Sequence, residues 1–242
     1  MIGIFSDFGA NDIYLGQIRA TLKNYAPTVP VIDVVNDVPA FNVRAAAHLL
    51  CALIPQYPDD TVFLSVVDPQ VGSERAAVVV RADDQWFVGP DNGLMLIVVS
   101  RAADSEVWQI VSNAEEQSLS FHGRDLFAPI AARIATADTP YTQLKRVESL
   151  QVSFGAGMLC EIIYVDHYGN ALTGLTRDAL THDMQIEVAN HVVSYAPVFS
   201  LVSCGELFWY ENSIGLIEIA ANQANAAQIL GLAVGQRIQV RK

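Results

Sequence analysis

The strongest constraint on what this chain can fold into is a change of hydrophobic period near residue 140. Before it, short apolar runs alternate with helical patterns. After it, the helical period nearly vanishes, and strand-like runs follow one another, separated by Gly, Asn and Pro. Alternating strands and helices build a sheet with helices on its faces. A succession of short strands builds a barrel or sandwich. The expected fold class is therefore α/β. An N-terminal α/β layered domain with a mostly parallel sheet is expected over 1–145, and a smaller C-terminal β-barrel-like domain over 153–242, with the boundary near Tyr141–Ser153.

Individual stretches refine this. MIGIFSD, VPVIDVV and TVFLSVVD read as strands. NDIYLGQIRATLKNYA reads as a helix, with Ile13, Leu15, Ile18 and Leu22 on one side. NVRAAAHLLCALIPQY and GRDLFAPIAARIAT are further helices, and AAVVVRA with QWFVGPD suggests a hairpin. GLMLIVVSRA fits helix or strand equally well. In the second part only NAAQILG looks helical.

Composition excludes several functions. Of 242 residues, 52% are apolar and 17% charged, ample for a packed core and unlike a disordered chain. A net charge of −12 repels phosphate backbones and anionic lipid, so a small molecule is a better partner than nucleic acid or membrane. The apolar run LMLIVV is far too short to span a bilayer. MIGIFSDFG lacks a basic leader, so the expected compartment is the cytoplasm. Cys51, Cys160 and Cys204 lie far apart, as expected of reduced, buried thiols. There is no phosphate loop, no GxSxG elbow and no HExxH.

Polar residues at the carboxyl ends of strands in an open α/β sheet lie over its ligand crevice. Here the first strand runs into SDFGANDIY, with Asp7 and Asp12, and the third ends at Asp68. Asp12 also reads as a helix N-cap. Asp7 and Asp68 on one edge would repel unless something paired them. Arg75 can be that partner, or can form a plain salt bridge. In SFHGRDLFAP, His122 stands beside a glycine at the entry to a helix, where it could act or simply be a satisfied structural histidine. Arg124 and Asp125 read as a cap and brace of that helix. In YVDHYGN, Asp166, Tyr168 and Asn170 alternate and would share one face of a strand, suiting a planar heterocycle. The same residues also suit a turn. A metal held by Asp7, Asp68 and His122 is conceivable by ligand type, but Arg75 beside a dication argues against it.

These stretches together resemble one family, the S-adenosylmethionine hydrolases (hydroxide adenosyltransferases), related to fluorinating and chlorinating enzymes that use the same substrate. The matching segments are SDFGANDIYLG, VVDPQVGSER, GPDNGL, SFHGRDLFAP, VDHYGN and NSIGLIEIA, in the family's order along nearly the whole chain. The resemblance implies an α/β first domain, a barrel-like second domain, and a trimer with each active site between subunits. It implies attack of water or hydroxide on the 5′ ribose carbon, releasing adenosine and methionine. It places Asp68, Arg75 and His122 on the family's catalytic Asp-Arg-His set, where halogenating relatives lack the full set and carry Tyr in place of Asp68. It places Asp7 and Asp12 at ribose and methionine contacts, Phe41 at an aromatic wall, and Asp166, Tyr168 and Asn170 at methionine and adenine contacts. Ser213 matches a methionine-side contact, and Glu218 lies in the same motif. Three positions depart from the family: Ser6, Asn42 and Gln70, the last replacing a usual Gly in the nucleophile loop.

A sulfonium is already a good leaving group, so neither cofactor nor metal is expected. Other functions compatible with these residues are a non-catalytic sensor of adenosine or S-adenosylmethionine, a halogenase, and a metal-dependent hydrolase.

Overall fold

The structure is a computed structural model and describes residues 1–111 and 118–242. The chain divides into two compact units. One holds Met1–Cys51 and Tyr57–Ala156, the other Ala52–Gln56 and Gly157–Lys242.

In the first unit, β1 (Ile2–Ser6), β2 (Val31–Val35), β3 (Val62–Val66), β4 (Ala77–Ala82), β5 (Gln85–Pro90), β6 (Ser105–Ile110) and β7 (Leu144–Val147) form one sheet, in the order β2-β1-β3-β5-β4-β6-β7. The β1–β2, β1–β3 and β3–β5 pairs are parallel; the β4–β5, β4–β6 and β6–β7 pairs are antiparallel. β1 and β3 are buried along their whole length, as strands covered on both faces must be. The helices are α1 (Ile13–Tyr25), α2 (Val43–Leu53), α3 (Leu96–Arg101) and α4 (Ala128–Ala135). The ambiguous run GLMLIVVSRA thus supplies a short helix. α1 buries Leu15, Ile18 and Leu22 against β1, β3 and α4 residues in one core. Ile13 does not join them and is 71% exposed. It opens the helix, where no preceding turn exists to pack beneath it.

On α2, His48 is buried and its Nε2 has no hydrogen-bond partner among the described residues. Burial, reinforced by Arg101 and Arg44, pushes its pKa down to about 4 from 6.5. The unfolded chain therefore takes up a proton near pH 6.5 that the native protein refuses until about pH 4, so this site removes stability as pH falls through that window. The full cost is about 3 kcal/mol. Burial raises Asp7 and Glu218, which act in the opposite sense on acidification. The comparison that isolates His48 is His48→Leu: its melting temperature should drop less between pH 8 and pH 5 than that of the natural protein. Equal drops would remove His48 from the acid response.

The second unit contains β8 (Leu159–Val165), β9 (Ala171–Thr176), β10 (Gln185–Val188), β11 (His191–Tyr195), β12 (Leu207–Glu211), β13 (Leu216–Ala221), α5 (Ala226–Leu230) and β14 (Gln239–Arg241). The sheet order is β14-β10-β11-β12-β13-β9-β8. Residues 235–238 bond along the far side of β8, through Gly235 N to Ile162 O at 2.8 Å and Ile238 N to Cys160 O at 3.0 Å. The same terminal segment continues into β14 on β10. It thereby links the two edges of the curled sheet, which leaves less open edge. Ile162, Ile186, Trp209, Ile217 and Ile219 fill the interior. Among the described residues no helix is long and apolar enough to cross a membrane.

Candidate functional site

Ser6 of β1 pairs with Val66 of β3, so the parallel register brings the ends of both strands to the same edge. Asp7 follows at once, and Asp68 lies two residues past Val66. Both line a cavity of about 360 Å³ with Asp12, Phe41 and His122. The carboxyl-edge crevice expected from the sequence is therefore formed within the first unit.

Arg75 is the partner that the crowded carboxylates require. Its Nε donates to both oxygens of Asp68 at 3.0 Å, and Nη2 makes a further short bond to Oδ2. Both side chains are only 5% exposed. The guanidinium also lies 5.3 Å from the centre of the Phe127 ring and donates from Nη1 to Ala76 O at 3.3 Å. Nη2 contacts Nδ1 of His122 at 3.1 Å. A guanidinium only donates, so Nδ1 accepts and the ring proton belongs on Nε2. Burial first, then the charge of Arg75, hold His122 below the ordinary histidine range, against the pull of Asp68 and Asp125. The ring is neutral at pH 7 by both arguments. Asp7 is raised by burial; the Phe41 N–H, 3.1 Å from its Oδ2, opposes that, and the charge of Asp68 adds to it.

A carboxylate offers about four lone-pair positions. Arg75 occupies one on Oδ1 and two on Oδ2 of Asp68. One position on Oδ1 is left for another donor, such as a water in the cavity.

The loop from Asp68 to Arg75 is tightened by Val71 N to Asp68 O at 3.3 Å and Ser73 N to Gln70 O at 3.0 Å. Gly72 carries its positive φ, +82°, while Gln70 is not in the left-handed region. The loss of glycine at position 70 therefore imposes no backbone strain there. Asp12 serves both roles foreseen for it: it lines the cavity, and its Oδ1 accepts from Ile13 N at 2.6 Å as the α1 cap. Phe41 is 74% exposed, with φ of +64°. Among the described residues no group of three or more His, Cys, Asp or Glu is placed to hold a metal ion.

Asp166, Tyr168, Asn170, Ser213 and Glu218 line a second cavity of about 860 Å³, formed within the second unit. The first three do not alternate along a strand; they occupy the turn between β8 and β9. Gly169, at φ +87°, and the Asp166 carboxylate drive that turn. Oδ1 of Asp166 accepts from Tyr168 N at 2.9 Å and Asn170 N at 2.8 Å, and Oδ2 from Asn170 Nδ2 at 2.9 Å. Tyr168 projects from it, 75% exposed. Glu218 is buried in β13. Its oxygens accept from Tyr210 Oη at 2.7 Å and Asn212 Nδ2 at 2.8 Å. Asn212 Oδ1 accepts in turn from Ile214 N and Leu216 N, shaping the turn that presents Ser213. Burial, assisted by Asp166, raises the pKa of Glu218 against these bonds.

Sequence reasoning missed Tyr210 and Asn212, and the trio Phe8, Tyr14 and Phe121. The trio packs at 5.3 to 6.1 Å between ring centres beside Asp12 and His122. Each lies within two residues of a singled-out polar group, which was the available signal.

Comparisons with known proteins cover the whole chain. The sequence model of the SAM hydroxide adenosyltransferase N-terminal domain matches residues 2–144, and that of the C-terminal domain matches residues 160–239. A Salinispora tropica protein named (R)-S-adenosyl-L-methionine hydrolase is 33% identical, over 99% of this chain and 97% of its own. A fluorinase of Actinopolyspora mzabensis is 23% identical, over 100% of this chain and 97% of its own. The crystal structure of an uncharacterized conserved protein from Thermotoga maritima is similar with a TM-score of 0.89 and 33% identity, covering 100% of both chains.

Proposed function

Because the chain belongs to the SAM hydroxide adenosyltransferase family, matched by both of its domains over residues 2–144 and 160–239, we propose that it hydrolyses S-adenosyl-L-methionine to adenosine and L-methionine. The observation that carries this reading is the contact set of Asp68, Arg75 and His122, with Asp68 and His122 on one cavity wall. A water oxygen attacks C5′ of the ribose, the C5′–S bond breaks, and its electron pair stays on sulfur as the thioether of methionine. The water loses one proton to become the 5′-hydroxyl. Asp68 Oδ1, the oxygen with a free position, accepts it. His122 cannot be the base at Nε2, which carries a proton, nor at Nδ1, which is occupied by Arg75. It donates from Nε2–H and orients the attacking oxygen. Arg75 fixes both groups. Fixing water, carbon and sulfur in line contributes ~7–11 kcal/mol in favourable cases. No cofactor or metal is required, because the sulfonium leaves neutral.

Fluorinase relatives raise halide transfer as a second reading. Carboxylates at Asp7 and Asp68 line the cavity, and an anion there would be repelled. Water is therefore the favoured nucleophile.

Asp7 and Asp12 are assigned to the ribose and methionine, with Phe41 as an aromatic wall. Asp166, Tyr168, Asn170 and Ser213 are assigned to methionine and adenine, and Glu218 to the support of the turn bearing Ser213. The protein is taken to be a homotrimer in which neighbouring subunits complete each site; exposed Phe41, Leu119 and Tyr168 are apolar surface that a neighbour would cover. It is assigned to the cytoplasm, where free thiols persist: Cys51 is half-buried, while Cys160 and Cys204 are exposed and not buried as the sequence suggested.

Incubation with S-adenosylmethionine plus a chelator should yield adenosine and methionine in equal amounts, independent of chloride. The relative's name leads us to expect consumption of the (R) sulfonium epimer first. Binding without turnover at high protein concentration would instead identify a sensor, and loss of activity on chelation a metal enzyme.

A further inference from the structure

Resting on the hydrolase reading, we propose that Asp125 is a positioning residue for His122, closing the 118–125 loop into a clasp that keeps Nδ1 of the ring against Arg75. The stretch Gly123–Phe127 is a π-type turn, a wider turn than the α4 helix it leads into. Such turns recur at functional sites because they aim a side chain that a regular helix would misdirect. The turn is closed by its own bond from Ala128 N to Gly123 O, and Asp125 adds bonds that tie it to the loop before it. Its Oδ2 accepts from Ser118 N at 3.0 Å, across seven residues, and from Arg124 Nη2 at 2.9 Å. Its Oδ1 accepts from Arg124 Nε at 2.6 Å.

Arg124 carries the clasp to the rest of the site. Nη1 donates to Gln17 Oε1 at 2.8 Å, on the α1 helix that Asp12 caps. Its guanidinium lies 5.2 Å from the centre of the Phe121 ring, next to His122 in sequence. Phe121 N bonds back to Ser118 O at 3.5 Å, and Arg124 N and Asp125 N both reach Phe121 O at 3.2 Å. His122 thus lies in a loop closed on both sides by Asp125. Among the described residues its polar side-chain contact is the 3.1 Å bond to Arg75, beside an edge contact with the Phe127 ring at 6.5 Å between centres. One bond and one ring contact do not fix the ring if its loop shifts. Helix capping alone would not need a carboxylate reaching back to Ser118.

The test is nitrogen-15 labelling of the histidines in the full-length protein, with the His122 signals assigned by their loss in His122→Gln. The natural protein should show a single Nε2–H tautomer at His122. Asp125→Ala should show a mixture of both neutral tautomers. Its kcat should fall roughly tenfold or more while KM changes by less than about threefold, because substrate contacts are retained. Asp138→Ala breaks a comparable pair with Arg133 at the far end of α4 and should change neither readout. Asp125→Asn keeps an acceptor for Ser118 and releases Arg124; it should fold even if the alanine variant does not, and should also mix the tautomers. A fixed tautomer in the folded Asp125 variants would overturn the proposal. If the natural protein does not turn over S-adenosylmethionine, the hydrolase reading fails, while the ring signals still decide whether the clasp exists.

Discussion

Asp68→Ala should lower kcat by on the order of 10²–10⁴-fold, the usual range for a positioned proton acceptor. The loss should exceed any change in KM, because Asp68 acts on water and not on the adenosyl group. The same change strands Arg75. Its side chain is 5% exposed, and its remaining contacts are the Phe127 ring, Ala76 O and a neutral imidazole nitrogen. Breaking a buried pair in this way costs about 3–5 kcal/mol of stability. Asp68→Asn keeps the side-chain volume and one acceptor oxygen for Arg75, so it isolates the loss of charge from the loss of packing. Arg75→Lys is not conservative here, because an ammonium cannot reach both Asp68 oxygens and Nδ1 in one plane. The pair should also behave as one unit: the double change of Asp68→Asn with Arg75→Gln should be little worse than the poorer single change. Turnover within a few-fold of the natural protein in Asp68→Asn would remove Asp68 from the reaction.

Gly72→Val should be strongly damaging although it removes no polar group from the site. A Cβ at this position would lie 2.5 Å from the carbonyl oxygen of Leu119, a backbone atom that cannot rotate away. The φ of +82° adds strain of roughly 1–2 kcal/mol for any L side chain, and more for a branched one. Gly72 lies between Asp68 and Arg75, and Leu119 lies three residues before His122. The clash therefore pushes the loop of the ion pair away from the loop of the imidazole. A displacement near 1 Å costs on the order of 10²-fold in rate. The contrasting change is Gln70→Gly, two residues earlier. Gln70 is outside the left-handed region, so restoring glycine should alter kcat and melting temperature little. A Gly72→Val protein with normal turnover would contradict the close packing of the two loops.

Much of this arrangement was legible in the chain because it rests on local pattern. IGIFS and VFLSV are near-continuous apolar runs, and the burial of both strands on both faces follows directly from that. Once both were strands, Asp7 and Asp68 had to end them on one edge if the strands paired in parallel, as they do. What was not legible depends on distance or on backbone geometry. The contact of Arg75 with His122 spans 47 residues, and only the folded chain creates it. The Asp166–Asn170 stretch alternates like a strand, yet the Asp166 carboxylate collects two backbone N–H groups and bends it into a turn. Ile13 fits the apolar side of α1 by spacing, but its place at the helix start leaves it in solvent. That Gln70 replaces the family's usual Gly without strain could not be read from the chain, because only the backbone shows that the positive φ of this loop falls on Gly72. The Tyr210–Glu218–Asn212 network joins the paired strands β12 and β13 to the turn between them and carries no sequence period at all.

The most direct measurement is the fate of solvent oxygen during turnover. With S-adenosylmethionine in water enriched in oxygen-18, mass spectrometry of the products should find one heavy oxygen in adenosine, at the 5′-hydroxyl, and none in methionine. Unlabelled adenosine, or label in methionine alone, would mean that water held by Asp68 and His122 does not attack C5′.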